Sequence, residues 1–217
     1  FLVWEEYVHR VPIDASAPPL EVAYVGPEGF VDGSFVGDLK FSSDNLHAAL
    51  LQVVVTLDRG FCGWEQYSYV QGLVLDGSTS DVRLSQQDNY CGYPDCACAL
   101  SYAPVGERVV YTEPNGLCYS VKTNGASREL LGSNVSAFQV APDESQVVFL
   151  SGTPSSSLLQ VATVDGSSVT TLAGPGALES PQVTPDSVLA VFVATVPGSD
   201  FRGLFANTWV TKAGQLN

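Results

Sequence analysis

Methionine is missing from this chain, histidine occurs only twice, and nine lysines and arginines face 23 aspartates and glutamates, for a formal charge of -14. Each shortage excludes something. A chain so acidic is repelled by phosphate backbones and anionic lipid surfaces, so a nucleic-acid partner is not expected. Its two histidines, His9 on an expected strand and His47 beside an aspartate turn, read as surface or packing residues. The longest apolar stretch, Ala48 to Leu57, is interrupted by Gln52 and Thr56 and has about half the length needed to cross a bilayer, so no transmembrane segment is expected. No G-x-S-x-G elbow, G-x-x-x-x-G-K-S/T loop, H-E-x-x-H pair or EF-hand loop occurs, so no enzymatic activity, cofactor or metal is expected within these 217 residues. The chain opens at Phe1 with no initiator methionine, charged n-region or small-residue cleavage site, and is expected to be a mature form or a fragment whose start lies upstream.

Against these shortages stands a hydrophobic content of 45%, enough to bury a core. The β-branched and aromatic residues gather in short runs bounded by Gly, Pro, Asn, Asp and Ser, which predicts strands throughout and no helix. A two-part phrase recurs along the chain. Its first half is a turn after a short strand: Phe41–Asn45, Tyr102–Gly106, Val140–Glu144 and Val183–Ser187. Its second half is a hairpin ending in Asp-Gly or a relative of it, at Asp76, Asn124, Asp165 and, degraded, Asp14-Ala15 and Ala213-Gly214. The steps from Asp76 to Asn124, Asp165 and Ala213 are 48, 41 and 48 residues, the period of a four-stranded propeller blade.

The expectation is therefore an all-β fold, a β-propeller of four-stranded antiparallel blades. Three full blades (38–86, 87–133 and 134–173) are flanked by incomplete ones (1–37 and 174–217), as part of a larger propeller. The cleanest copy predicts strands at Ser136–Ala141, Gln146–Leu150, Leu158–Val164 and Val169–Leu172. Asp-Gly between apolar runs suits a type I′ turn, with both central residues at positive φ. Pro-Asp sets the other bend and lets a carboxylate accept backbone N–H groups. Both are structural punctuation rather than catalytic or calcium-binding devices.

The phrase of apolar residue, Pro-Asp, apolar run and strand ending in Asp-Gly resembles the TolB-type, WD40-like β-propeller repeat. The likeness covers about Asp38 to Gly214 and is sharpest over Ser136 to Leu172; Pro104 departs from it, being followed by Val105 instead of Asp. The resemblance implies a periplasmic or secreted binding scaffold, or a propeller beside the catalytic domain of a prolyl-oligopeptidase-like peptidase.

In a blade, the loop between strands two and three and the link to the next blade share one face. That rule puts all five cysteines, Cys62, Cys91, Cys96, Cys98 and Cys118, on one face. Disulfides stapling two long insertions are the first expectation, with Cys62 to Cys91 or Cys96 the pairing to test first. A zinc site of Cys91, Cys96 and Cys98 with Cys62 or Cys118, and free buried thiols, are the alternatives. Phe61, Trp64, Tyr90 and Tyr93 lie on the same loops as candidate binding residues, or as a small satellite core over the disulfides. Together with the cysteines, the triplet Asn134-Val135-Ser136, a candidate glycosylation site, points to an oxidising extracellular or periplasmic compartment. The expected role is a non-catalytic scaffold for a protein or glycan partner. The alternatives are the propeller portion of a larger hydrolase and a self-assembling structural subunit.

Overall fold

The structure is a computed structural model that describes residues 6–10, 20–25, 33–58, 63–76, 78, 81–86, 89–92, 100–195 and 202–208. Every regular element among them is a β-strand. Two compact units divide the chain, one of Phe1–Pro114 with Val121–Arg128, the other of Asn115–Ser120 with Glu129–Asn217.

In the first unit, β1 (Glu6–Arg10) pairs antiparallel with β2 (Leu20–Val25). A larger sheet follows in the order β3 (Gly33–Phe41), β4 (His47–Asp58), β5 (Gly63–Val74), β6 (Val82–Arg83), with β7 (Asn89–Gly92) also on β5. Residues 48–54 of β4 and 68–73 of β5 are buried without interruption. That burial explains the continuous apolar run from Ala48: a central strand covered on both faces needs no polar alternation. Ala48, Leu50, Leu73 and Leu75 form its core cluster, with Val36 and Leu39 against it.

The next sheet runs β8 (Tyr102–Val105), β9 (Arg108–Thr112), β10 (Cys118–Lys122), β11 (Glu129–Gly132). Tyr102–Gly106 is therefore not a turn phrase. Pro104 sits inside β8 opposite Val109, and the bend is a two-residue turn, Gly106–Glu107, with Gly106 at φ +51. The glycine supplies the positive φ at the first central position, so no Pro-Asp is needed there.

In the second unit, β12 (Val135–Val140), β13 (Gln146–Thr153), β14 (Ser156–Thr163) and β15 (Val169–Gly176) form a simple meander. A three-stranded sheet of β16 (Leu178–Val183), β17 (Leu189–Thr195) and β18 (Arg202–Thr208) follows. Val148, Leu150, Leu159 and Val161 of the meander bury against Leu178, Val183, Ala190 and Phe192 of the next sheet. Directional bonds fix the packing, because Val183 N–H donates to Gln139 Oε1 at 3.2 Å and Asp143 N–H to Ser187 Oγ at 3.0 Å. In chain order the sheets have two, five, four, four and three strands.

Both halves of the recurring phrase fold into one kind of turn, which is not type I′. Gly166 N–H donates to Thr163 O at 2.9 Å and Gly125 N–H to Lys122 O at 2.8 Å, and in each turn the glycine has positive φ while the preceding Asp or Asn does not. The turn is thus a type I turn closed by one left-handed residue. The Pro-Asp turn is built alike: Glu144 N–H donates to Ala141 O at 2.8 Å with Glu144 at φ +58, and Ser187 N–H to Thr184 O at 2.8 Å with Ser187 at φ +59. In the described turns of this kind the Asp or Asn carboxyl or amide oxygen accepts the N–H two residues on: Asp76 from Ser78, Asn124 from Ala126, Asp143 from Ser145, Asp165 from Ser167, Asp186 from Val188. These carboxylates serve the backbone. Asp14-Ala15 and Ala213-Gly214 lie outside the described residues.

The two turns of a blade are also bonded to each other. Leu75 N–H donates to Leu46 O at 2.8 Å, Thr123 N–H to Glu107 O at 2.8 Å, and Val164 N–H to Ser145 O at 3.2 Å. They share one end of the sheet, and the β4–β5 and β13–β14 hairpins and the blade links stand at the opposite end.

Candidate binding groove

At that opposite end of the second unit, β11 leads into β12 through Ser133 and Asn134. Asn134 has φ +51, a left-handed conformation that Asn tolerates better than most residues. Val135 N–H donates to Gly116 O at 2.8 Å, and Asn134 O accepts from Gly152 N–H at 3.0 Å, which ties the link to the end of β13. The β13–β14 hairpin turns tightly through Pro154 and Ser155, since Thr153 pairs with Ser156. Behind it, buried Ser157 donates from Oγ to Gly176 O at 2.9 Å and accepts Leu178 N–H at 3.1 Å, holding β14 to the chain leaving β15.

These segments enclose an open groove of about 620 Å³, within the range of small-molecule sites. Its apolar surface comes from Leu131, Leu158, Val169 and Pro175. Its polar surface comes from Ser133, Asn134, Ser151, Ser156 and Gln160, and none of the lining residues is ionisable. Ser151 Oγ donates to Gln160 Oε1, and Gln160 Nε2 reaches Thr171 Oγ1 at 3.4 Å, so the amide is oriented. Such a lining can pack and hydrogen-bond an uncharged ligand. It offers no group that moves a proton near neutral pH.

Of the residues singled out from sequence, Phe61, Cys62, Tyr93, Cys96 and Cys98 lie outside the described residues. Trp64, Tyr90 and Cys91 are described in backbone only: Trp64 is opposite Leu57 on β5, while Tyr90 and Cys91 on β7 face Tyr67 and Gln66 of that same strand. Two adjacent strands thus carry three of the expected residues. The loop expected to carry Tyr90 and Cys91 is in part this strand β7, because the elongated β4–β5 hairpin leaves an edge of β5 to pair beyond β6. Cys118 leaves the disulfide set. It is a free cysteine with 0% exposure, on β10 opposite Gly132, and burial pushes its thiol up to about 12. A thiol so held stays protonated and inert.

The groove residues were missed because their blade is the most regular copy of the repeat and reads as scaffold. The signal was Ser151-Gly152 followed by Pro154-Ser155-Ser156-Ser157, a run of small hydroxyl residues at a hairpin where the β4–β5 copy has long apolar strands.

Six cations have described side chains, and each is engaged within the protein. Lys40 pairs with Asp38 at 3.5 Å and lies 4.2 Å over the Tyr102 ring; Lys122 pairs with Glu107 at 2.8 Å. Arg128 pairs with Glu113 at 2.6 Å, and Arg202 pairs with Glu179. Arg83 donates to Ser85 O at 3.1 Å and Arg108 to Ser127 O at 2.7 Å. Burial, reinforced by nearby Asp38, raises the Tyr102 hydroxyl well above the ordinary phenol range, so it is no nucleophile. His47 Nδ1 lies 2.7 Å from Asp44 Oδ2 at the first turn. Among the described residues no cluster of three His, Cys, Asp or Glu side chains could hold a metal, and no helix is long and apolar enough to cross a membrane.

No family model matches the chain, and no curated protein does. Among solved structures it is similar to oligopeptidase B from Leishmania major, at 10% identity and a TM-score of 0.51, covering 80% of this chain and 24% of that one. TolB from Acinetobacter baumannii gives 12% identity, a TM-score of 0.38 and coverage of 94% and 63%. A nidogen/laminin complex gives 12%, 0.44, and 72% and 56%. The chain thus spans less than two-thirds of each of these proteins. Likeness at this identity speaks to fold alone, and with the four-stranded meanders it shows an all-β protein of the β-propeller fold.

Proposed function

We propose that this chain is part of a TolB-type propeller, secreted or in the cell envelope, that binds a protein or glycan partner without catalysis. The binding face is the one built by the strand two–three hairpins and blade links. The observation that carries this reading is the groove at Ser133–Asn134 and Ser151–Gln160: it is formed by that face and lined without a single ionisable side chain. A rigid meander with bonded turns at one end leaves the other end free to vary, which is how loop-borne binding sites are made. Support also comes from the elongated β4–β5 hairpin, which puts Trp64 beside the strand of Tyr90 and Cys91.

The test is selection of peptides and neutral glycans on the wild-type chain, followed by rebinding to two variants. One carries Leu158→Asp, which puts a charge in the groove; the other replaces Trp64, Tyr90 and Tyr93 by Ala. Loss of ligands on either variant, with an unchanged melting temperature, is the expected result. Ligands that survive both place binding elsewhere and end the proposal.

A second reading is the propeller portion of a larger hydrolase. It is favoured by the likeness to oligopeptidase B, of which this chain spans 24%. A G-x-S-x-G elbow with Asp and His in the flanking sequence would establish it, and further blades without one would discard it.

A further inference from the structure

We propose that Asn134 carries an N-linked glycan whose first sugar rings lie in the adjoining groove. The proposal rests on the secretory location suggested above, but not on partner capture. Four other described asparagines use their side chains on the backbone: Asn45 donates to Ser43 O, Asn207 donates to Leu172 O, Asn115 accepts from Leu117 N–H and Asn124 from Ala126 N–H. Asn134 shares the left-handed conformation of Asn45, yet its amide makes no such bond and stands exposed at the groove wall. Val135, buried at 7% exposure, anchors the middle of the triplet, while Ser136 is exposed beside it. The triplet therefore presents both polar side chains to solvent and needs no core residue to move.

Attachment is a substitution at the anomeric carbon of an oligosaccharide held on a lipid diphosphate. The Asn134 Nδ2 to carbon bond forms, the carbon to phosphate-oxygen bond breaks, the lipid diphosphate leaves and the amide proton passes to a base of the transferase. What the folded chain adds is the seat. A pyranose has a C–H face and a hydroxyl edge, and Leu158 and Val169 offer aliphatic surface for the first, Ser133, Ser156 and Gln160 partners for the second. The absence of charge in the lining matches an uncharged ring, because no ion has to be desolvated when the sugar covers it.

The experiment is secretion of the full chain from eukaryotic cells, with Asn134→Gln and Ser136→Ala made in parallel. Wild type should lose a glycan's mass on treatment with a peptide amidase that converts Asn134 to Asp, and neither variant should. Native wild type should release its glycan at least tenfold more slowly than unfolded protein, and Gln160→Ala with Leu158→Asp should bring the native rate towards the unfolded one. A secreted wild type unmodified at Asn134 overturns the proposal. So does equal release from native and unfolded protein, which would leave the glycan in solvent. Partner selection uses protein made without glycan, so failure here leaves that reading standing, and its failure leaves this one.

Discussion

The β12–β15 sheet and the β3–β7 sheet begin as copies and end differently. At the turn end they match: Asp143 and Asp165 in one, Asp44 and Asp76 in the other, each accept a backbone N–H two residues on, and Val164 and Leu75 donate to the facing turn. At the far end the central strands run 8 residues in one sheet and 12 in the other, and the continuous fourth strand β15 is replaced by two pieces, β6 and β7. The end tied by side chain to backbone bonds is the one that repeats. The opposite end, which has no such Asp turns, is where a groove opens in one sheet and a hairpin lengthens in the other.

The break in the fourth strand is held by a buried acid. Gln86, just past β6, donates its N–H to Glu113 Oε1 at 2.9 Å, and Glu113, 5% exposed, is paired with Arg128. Glu113→Ala takes the acceptor from both the Gln86 N–H and the Arg128 guanidinium at a buried site, and should cost about 3–5 kcal/mol in urea unfolding. Glu113→Gln keeps an acceptor for Gln86 and should cost less. If the alanine variant unfolds like wild type, the break needs no clamp and the two sheets differ for another reason.

Next in size is Gly72 on β5. A Cβ there would stand 2.5 Å from Thr123 O and 2.9 Å from Thr123 Cα, backbone atoms that cannot rotate aside. The matching position of β14, four residues before the turn aspartate, is Val161, whose side chain is buried in the core. Gly72→Ala should therefore cost about 1–3 kcal/mol through overpacking. A neutral effect would mean the first sheet has the slack of the second.

The shared end makes a prediction of equality. Asp76→Ala and Asp165→Ala each remove the charge-assisted acceptor of an exposed turn N–H, and each should cost about 1 kcal/mol by chemical unfolding. Unequal losses would show that one sheet leans on its turn more than the other does.

How far the sequence carried follows from the same contrast. Strands β12, β13 and β15 begin within a residue of their expected positions because apolar β-branched runs bounded by turn residues encode them locally. The turn type was missed because Asp-Gly is compatible with two backbones. The choice depends on the Asp or Asn oxygen capturing the N–H two residues on while staying at negative φ. Strand β7 was missed because Asn89–Gly92 has no apolar run; it pairs only because long β5 offers an edge. The groove was illegible for the opposite reason: Ser133, Ser151 and Gln160 are unremarkable polar residues until a blade link and a hairpin are brought together by the bond from Gly152 to Asn134.

The smallest effect concerns acid. Asp44 opens the β3–β7 sheet with more partners than its counterparts: burial opposes its charge, but the Ser42 hydroxyl, the Leu46 N–H and His47 outweigh it and hold the carboxyl at about 2. In the unfolded chain the same group titrates near 4. Between those values the unfolded state binds a proton that the folded state refuses, so stability rises with pH there. Asp44 therefore contributes fully above about pH 4, and its contribution is lost as pH falls through about 2. The side chain is exposed, so solvent screening keeps the effect small. Asp44→Asn should flatten the acid limb of the stability curve and leave neutral stability slightly lowered. If wild type and variant lose stability in parallel from pH 4 to pH 2, the extra partners at this turn are not what distinguishes the first sheet, and its difference lies wholly at the hairpin end.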